Sequence, residues 1–284
     1  MILKDFLPHP ELADYVQWYR ICHFEFSKNT PIPVKAYPPK PEDILHFFLR
    51  DSCSIMGDDG RKKLMSPITI IGQRTFVTQQ YNGNNFLNFQ IVFQPTALFR
   101  LTGIPSFKLA NQFVDAECII SKDLRLTFER LQSSKDFPEM LTAGEEFVRT
   151  LVSNARKEPH HLDTVAKFMI KVHGQAPMDW LAKESCLCNK QFMRKFNERI
   201  GINPKSYARI IRFNHAFNIK NLYPERDWLT IAVDCGYCDY QHMVKDYKSF
   251  TGLTPNEFHV LENSSPERVL GLTREVYQSR LTQM

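Results

Sequence analysis

Glycine is scarce in this sequence, 11 of 284 residues, and what there is forms no phosphate-binding loop, no dinucleotide fingerprint and no Gly-x-Ser-x-Gly elbow. The nucleotide-driven enzymes and the elbow-type hydrolases therefore have no foothold. No run of about 18 apolar residues occurs, so no membrane span is expected. Met1 to Phe6 carries one Lys and no long apolar run, so no secretory signal is expected. The seven cysteines lack the dense framework of a small secreted domain, and a chain of this length needs none; reduced, cytoplasmic thiols are expected. In the N-terminal half the histidines are scattered, at His9, His23 and His46, with no His-x-His pair. No metal, no cofactor and no catalytic residue is expected there. The net charge of +5 is mild, and permits a nucleic-acid partner without requiring one.

What the chain does have is room for about two domains. A hydrophobic content of 43% and a charged content of 24% are ordinary for a globular protein. Residues 1 to about 115 are rich in Pro, Phe and short apolar runs. Pro31, Pro33, Pro38, Pro39 and Pro41 argue against helix in one segment. Strand-like runs follow at Ile44–Leu49, Ile68–Ile71, Phe76–Gln80 and Phe86–Phe93, with turn signals at Asp58-Asp59-Gly60 and Asn82-Gly83-Asn84. Glu11–Tyr19 reads equally as a short helix or a strand. Tyr37, Phe47, Phe76, Phe89 and Phe93 are first of all core; the alternative is that they line a cavity for a small molecule.

Helical spacing begins after Pro95: Thr96–Thr102 before Gly103, then Leu124–Gln132, then Met140–Ala155 with Pro138 in its first turn. Leu141, Phe147, Val148, Leu151 and Val152 form one apolar stripe. It is either a dimer seam or a face packed on the β domain. The expected layout is α+β: a β-rich sensing domain over 1–135, a linker helix over 136–160, an all-α domain over 161–262 and a tail over 263–284. Within the all-α part, helices are expected at Asp163–His173, Met178–Glu184, Asn189–Ile200, Ser206–Tyr223, Leu229–Cys235, Asp239–Thr251 and Pro255–Leu261. A further one follows Ser264-Ser265-Pro266.

One pattern occurs twice in that part. Phe196, Gly201, Pro204 and Tyr207 return as Tyr247, Gly252, Pro255 and Phe258, each 51 residues on; Phe192 returns as Met243. Leu181-Ala182 returns as Ile231-Ala232 at an offset of 50, so the extra residue lies in a turn, beside Gly236. Each unit reads as helix, tight turn, helix. Ala182, Phe192 and Phe196 must meet inside one unit, and Ala232, Met243 and Tyr247 inside the other. The opposite faces then carry Lys190, Met193, Arg194 and Asn197, and Gln241, Val244, Lys245 and Lys248. Arg and Lys suit guanine or phosphate, Gln suits adenine, and Met or Val suits a thymine methyl. A charged outer face is ordinarily just solvated; its duplication about a stiff helix is what points to two successive major grooves, about 34 Å apart. Asp239 is a good N-cap; its counterpart Cys188 is poor, with Asn189 beside it as a substitute, so the first unit is expected to be the less stable.

The run Ile231-Ala232-Val233-Asp234-Cys235-Gly236-Tyr237-Cys238-Asp239-Tyr240-Gln241-His242-Met243, with Asp246-Tyr247-Lys248 and Thr251 to Phe258, resembles the signature of AraC/XylS-type transcription regulators. Arg212 and Ala216 are similar to that family's linker helix. Cys188, Tyr237 and Met243 depart from its usual residues. The resemblance covers about 160–260. It implies a seven-helix-type DNA-binding domain, promoter DNA as partner, and an N-terminal domain for effector binding or dimerisation. RNA polymerase, a small-molecule effector and a second copy of the chain are further candidate partners. The expected base contacts are Lys190, Met193 and Arg194 in one groove and Tyr240, Gln241 and Lys245 in the next. Asn197, Ser206, Lys248 and Asn256 are expected at phosphates, beside the helix N-termini after Pro204 and Pro255. Two other readings compete. Zinc at Cys186/Cys188 and Cys235/Cys238 meets imperfect spacing and pairs set far apart. A metal-dependent enzyme or sensor in the β domain would reduce the helices to an accessory interaction module.

Overall fold

The computed structural model describes residues 1–57, 60–120 and 123–283. The strands among them are β1 (Ile2–Phe6), β2 (Val16–Glu25), β3 (Lys35–Tyr37), β4 (Ile44–Phe48), β5 (Cys53–Met56), β6 (Lys62–Leu64), β7 (Ile68–Ile71), β8 (Thr78–Asn82), β9 (Asn85–Phe93) and β10 (Phe113–Asp115). They form two antiparallel sheets, ordered β1-β2-β9-β4-β7-β10 and β3-β8-β5-β6. The helices of this half are α1 (Ala97–Thr102), α2 (Asp123–Ser133) and α3 (Phe137–Ser153). The turn expected at Asp58-Asp59 lies outside the described residues; the turn at Asn82-Gly83-Asn84 joins β8 to β9.

Period-two alternation gives the larger sheet two different faces. Tyr19, Ile21, Leu45, Phe47, Phe89, Ile91 and Phe93 point to one side, where α2 and α3 cover them with Leu124, Leu131, Met140, Phe147 and Val148. The other face carries Arg20, His46, Asn88 and Gln90, all buried. Phe47, Phe89 and Phe93 are therefore core rather than cavity lining, and Phe76 is exposed. Glu11–Tyr19 divides into a turn at Pro10–Leu12 and the start of β2. The strand expected at Phe76 starts instead at Thr78, because the Val77 N–H donates to the Phe250 carbonyl of the helical half (2.8 Å).

The helix expected to act as a linker is part of the β domain. Asp136 caps it by accepting from the Glu139 N–H (2.9 Å), and Met140, Ala143, Gly144, Phe147 and Val148 are buried beneath it. Leu141, Leu151 and Val152 pack on the same core, so the chain itself covers the stripe. The connection to the second half is the stretch 154–160.

The helical half comprises α4 (His161–Lys171), α5 (Met178–Glu184), α6 (Asn189–Ile200), α7 (Pro204–Leu222), α8 (Trp228–Asp234), α9 (Tyr240–Thr251) and α10 (Pro255–Asn263). The tail forms two helices, α11 (Pro266–Val269) and α12 (Arg274–Gln283), where one was expected; Met284 lies outside the described residues. No helix among the described residues is long and apolar enough to cross a membrane.

Candidate nucleic-acid interface

The two units are built alike. Leu181, Ala182, Phe192, Phe196 and Tyr207 are buried in the first, and Ile231, Ala232, Met243, Tyr247 and Phe258 in the second, all in one continuous core. The Phe196 ring meets Phe192 at 5.5 Å and Tyr207 at 5.6 Å; Tyr247 meets Phe213 at 4.7 Å. Small Ala at 182 and 232 lets the helices approach. Gly201 and Gly252 end α6 and α9 at φ +96° and +77°, a backbone state that a Cβ disfavours. Pro204 and Pro255 then open α7 and α10 at positions that need no N–H.

α7 holds the units in place. Its Arg209 pairs with buried Asp246 of α9 (Nε to Oδ1 2.9 Å). Its Arg212 lies over the Tyr237 ring (5.1 Å) and donates to the Gly236 carbonyl (3.3 Å). With the inner faces fixed, Lys190, Met193, Arg194 and Asn197 of α6 are left exposed, as are Gln241, Lys245 and Lys248 of α9. Tyr240 is half-buried against the helical core, and Val244 is also half-buried.

The expected phosphate sites are partly engaged. The Ser206 N–H already donates to the Asn203 side chain (2.8 Å). The Glu257 N–H points to Thr254 Oγ1 (3.4 Å), and Asn256 accepts from the Trp228 indole. The donors left for an anion are thus those of the first turns that the caps do not use.

The caps differ as expected at Asp239, whose carboxylate accepts from the His242 N–H at 2.6 Å. At Cys188 the contact is a long one, from its own N–H to the Gln191 side chain (3.4 Å). Asn189 does not substitute as a cap; its amide donates to Asp179 (2.9 Å). The turns differ as well. Gly236 sits at φ +74°, while its counterpart at an offset of 50 is Cys186, at +57°. In the sequence this second weakness of the first unit shows only through the offset that marks the extra residue. Cys186, Cys188 and Cys238 are exposed and Cys235 is buried, and no group of three metal-ligating side chains forms among the described residues.

Arg199 is a further functional residue that the sequence does not single out. It lies on the inner side of α6 and donates through Nε and Nη2 to both oxygens of Asp163 in α4 (2.8 Å each). Its guanidinium stacks over Phe99 of α1 (4.9 Å). An arginine in a charged helix reads as solvent-facing; only its spacing from Phe196 and Ile200 places it near the buried side.

Comparison with known proteins finds the following similarities. A family model described as a helix-turn-helix domain matches residues 181–259. The HTH-type transcriptional regulator ArgR of Pseudomonas aeruginosa is 23% identical over 141 residues, 49% of this chain and 43% of the relative. This chain thus spans less than half the length of that relative. Two solved structures of ToxT from Vibrio cholerae align over 86% of this chain, and over 97% and 98% of theirs, at 8% and 9% identity and TM-scores of 0.47 and 0.48. A third, unsaturated fatty acid-bound ToxT, aligns over 94% of its length at 9% identity and a TM-score of 0.47. The region from α5 to α10 is a double helix-turn-helix domain. The matched residues 181–259 run from within α5 to within α10 and take in both units.

Proposed function

We propose that this chain is a cytoplasmic, sequence-specific DNA-binding transcription regulator that sets α6 and α9 into successive major grooves. The observation that carries the reading is the pair of matching solvent-open faces on two units with the same interior. Lys190, Met193 and Arg194 read bases in one groove, and Tyr240, Gln241 and Lys245 in the next. Asn197, Ser206, Lys248 and Asn256 contact phosphate. RNA polymerase is the partner through which such a protein would act on a promoter.

The β domain is the sensing half in this reading. Its cavity has a mixed lining, with Phe24, Phe86, Phe217 and Tyr277 beside the polar groups. Of the five aromatics considered from the sequence, Tyr37 alone lines it, among Arg20, Lys35, Gln80, Asn88 and Gln90. The cavity therefore suits a small effector that offers its polar groups to Lys35 and the amides of β8 and β9. A homodimer through 139–155 loses its support, because that stripe is covered.

The test is genome-wide mapping of bound fragments with the purified full chain, followed by footprinting on the fragments recovered. Two protected major-groove segments one helical turn apart are expected. Failure to retard any genomic fragment, with or without metabolite extract, would overturn the reading.

A further inference from the structure

The β-domain cavity is closed by the other half of the chain. Of the side chains lining it, the β domain supplies cations, amides and apolar groups, but no carboxylate. The carboxylates come from Glu262, at the end of α10, and Glu267, in α11. Both pair with Lys35 of β3, which is buried, and Glu262 is fully buried. One ammonium thus faces two carboxylates, and Glu262 Oε2 has no hydrogen-bond partner. Burial pushes Glu262 above its ordinary value, against Lys35 and with the charge of Glu267 adding to the rise. At Glu267 burial acts the same way, but Lys35 outweighs it and holds that group down.

The residues around this pair complete a lid. Thr273, Val276 and Tyr277 also line the cavity, and Tyr277 packs edge-on against Phe217 of α7 (6.1 Å). Leu270 and Leu272 rest on the small apolar cluster of Phe24, Phe48 and Phe86. A volume of about 60 Å³ remains beneath, room for a few waters.

We propose that residues 262–277 are a tethered occupant of this cavity, and that the carboxylate of a small polar organic acid competes with Glu262 and Glu267 for Lys35. The class of ligand follows from the wall. Arg20 has its own acid in Asp5 (2.7 Å) and Lys40 has Glu42 (3.6 Å), so removing the tail leaves Lys35 as the cation to be matched. Gln80, Asn88 and Gln90 supply amide groups for the rest of a polar molecule. The tail's hold is weakened from within, because both carboxylates pair with the ammonium of Lys35, while Arg268 and Lys40 attract them from outside ion-pair range. A free acid that brings one carboxylate and its own amide contacts relieves that excess. Capture of the ligand and release of the tail are then one event. The tail is continuous with α10, so the release reaches the second unit of the helix-turn-helix domain. This rests on the regulator reading for its consequence, but not for its test.

The experiment is hydrogen exchange on the full chain, read over 264–278, with succinate as probe and neutral succinamide as control at equal ionic strength. Succinate should speed exchange there by about tenfold or more, and succinamide should not. Glu262→Gln and Glu267→Gln should each speed it without ligand, while strands β2 and β9 keep their protection and so report an intact fold. Should Glu262→Gln fail to fold, Glu267→Gln and the succinate titration of the unaltered chain still decide. Unchanged exchange in Glu267→Gln and with succinate would overturn the proposal and make the tail a permanent part of the fold. Faster exchange in the variants with no response to succinate would overturn the competing carboxylate. DNA retardation run in parallel separates the two readings: its loss in every sample would remove the regulator while leaving the tail result standing.

Discussion

At the scale of single residues, the two kinds of cation on the outer faces should behave differently. Arg194 is exposed in the middle of α6, opposite Phe192 and Phe196, where a guanidinium can meet guanine. Arg194→Ala should cost about 1–3 kcal/mol on a cognate site and relax preference at one base pair. Lys248, near the end of α9, should act on the backbone alone. Lys248→Ala should weaken all sequences alike and reduce the salt slope of binding by about one unit. Titration of both variants against cognate and scrambled DNA at several salt concentrations checks the pair; identical profiles would remove the distinction. In the β domain, His46 offers a separate test. The Asn88 amide nitrogen can only donate, so His46 Nδ1 accepts from it (2.9 Å), which leaves the proton on Nε2 of the neutral ring. Burial, then the charges of Arg74 and Arg20, push its pKa down to about 3. The folded state therefore binds fewer protons than the unfolded state between about pH 3 and 6.5, and stability falls as pH falls through that window. The loss from this group alone is roughly 3 kcal/mol at pH 4. Asp43, raised to about 7 chiefly by burial, works in the opposite sense between pH 3.8 and 7, so the comparison must be between variants. In His46→Gln the urea midpoint should drop less from pH 6.5 to 4 than in the parent. Parallel curves would mean that His46 is not the group responsible.

At the scale of elements, the repeat explains both what could be read in advance and what could not. The bounds of α5 and α6 follow from Pro177, Gly201 and the apolar spacing between them, because a helix that buries one face writes its period into the chain. The outer faces were legible for the same reason, by subtraction. The strands β3, β5 and β6 were not. They are short, and the exposed Lys62–Leu64 and the Lys35–Tyr37 strand amid prolines carry no alternation of their own; their partners fix them. The fate of α3 was equally hidden, since an apolar stripe does not say whether its cover is a second chain or its own β-sheet. Nor could spacing reveal that the cavity face of β2 and β9 is polar. Arg20, Asn88 and Gln90 are buried only because a second sheet and a distant tail close over them. Two of the differences between the units bear on the stability of the first: Cys186 in a left-handed turn and Cys188 at the helix start. Cys186→Gly together with Cys188→Asp should restore what Gly236 and Asp239 provide, a gain of about 1–2 kcal/mol in the urea-derived stability of the full chain. No gain, in a variant that keeps its spectrum, would show that the first unit has already relaxed around its cysteines.

At the scale of the whole molecule, the helical half meets the β domain at several places, among them Val77 against Phe250 and Ala36 in the helical core, and two of the contacts are clusters of buried charge. One is the Lys35 cluster. The other is Asp163, which accepts from Arg199 on two atoms and lies 3.9 Å from Arg100 Nε of α1. Around it, the Ser106 hydroxyl donates to the Arg199 carbonyl (2.9 Å), and the Arg100 carbonyl accepts from the Arg156 N–H (2.9 Å) and the Lys157 N–H (3.0 Å). Gly201 sits in the same contact, where a Cβ would come within 2.9 Å of the Ser106 carbonyl oxygen; around Gly252, the matching glycine, the space is open. The same backbone state is thus required twice, but the close approach to the β domain belongs to the first unit alone. Among the described residues Asp163 is the acid that pairs with both buried arginines, while the charge of Asp14 also reaches Arg100, so Asp163→Asn leaves Arg199 without its ion pair, at a cost of about 3–5 kcal/mol. The loss falls on the contact between domains rather than on either core, because Phe196 and Phe89 belong to different clusters. Unfolding of the variant should therefore split into two transitions where the parent shows one, and protease should cut the connecting stretch 154–160 sooner. Arg199→Met, which removes a charge and keeps apolar bulk against Phe99, should be milder, since Arg100 still faces Asp163. A single transition for Asp163→Asn at the parent's midpoint would mean that the remaining contacts, the Lys35 cluster and the Val77–Phe250 hydrogen bond among them, hold the domains together without it.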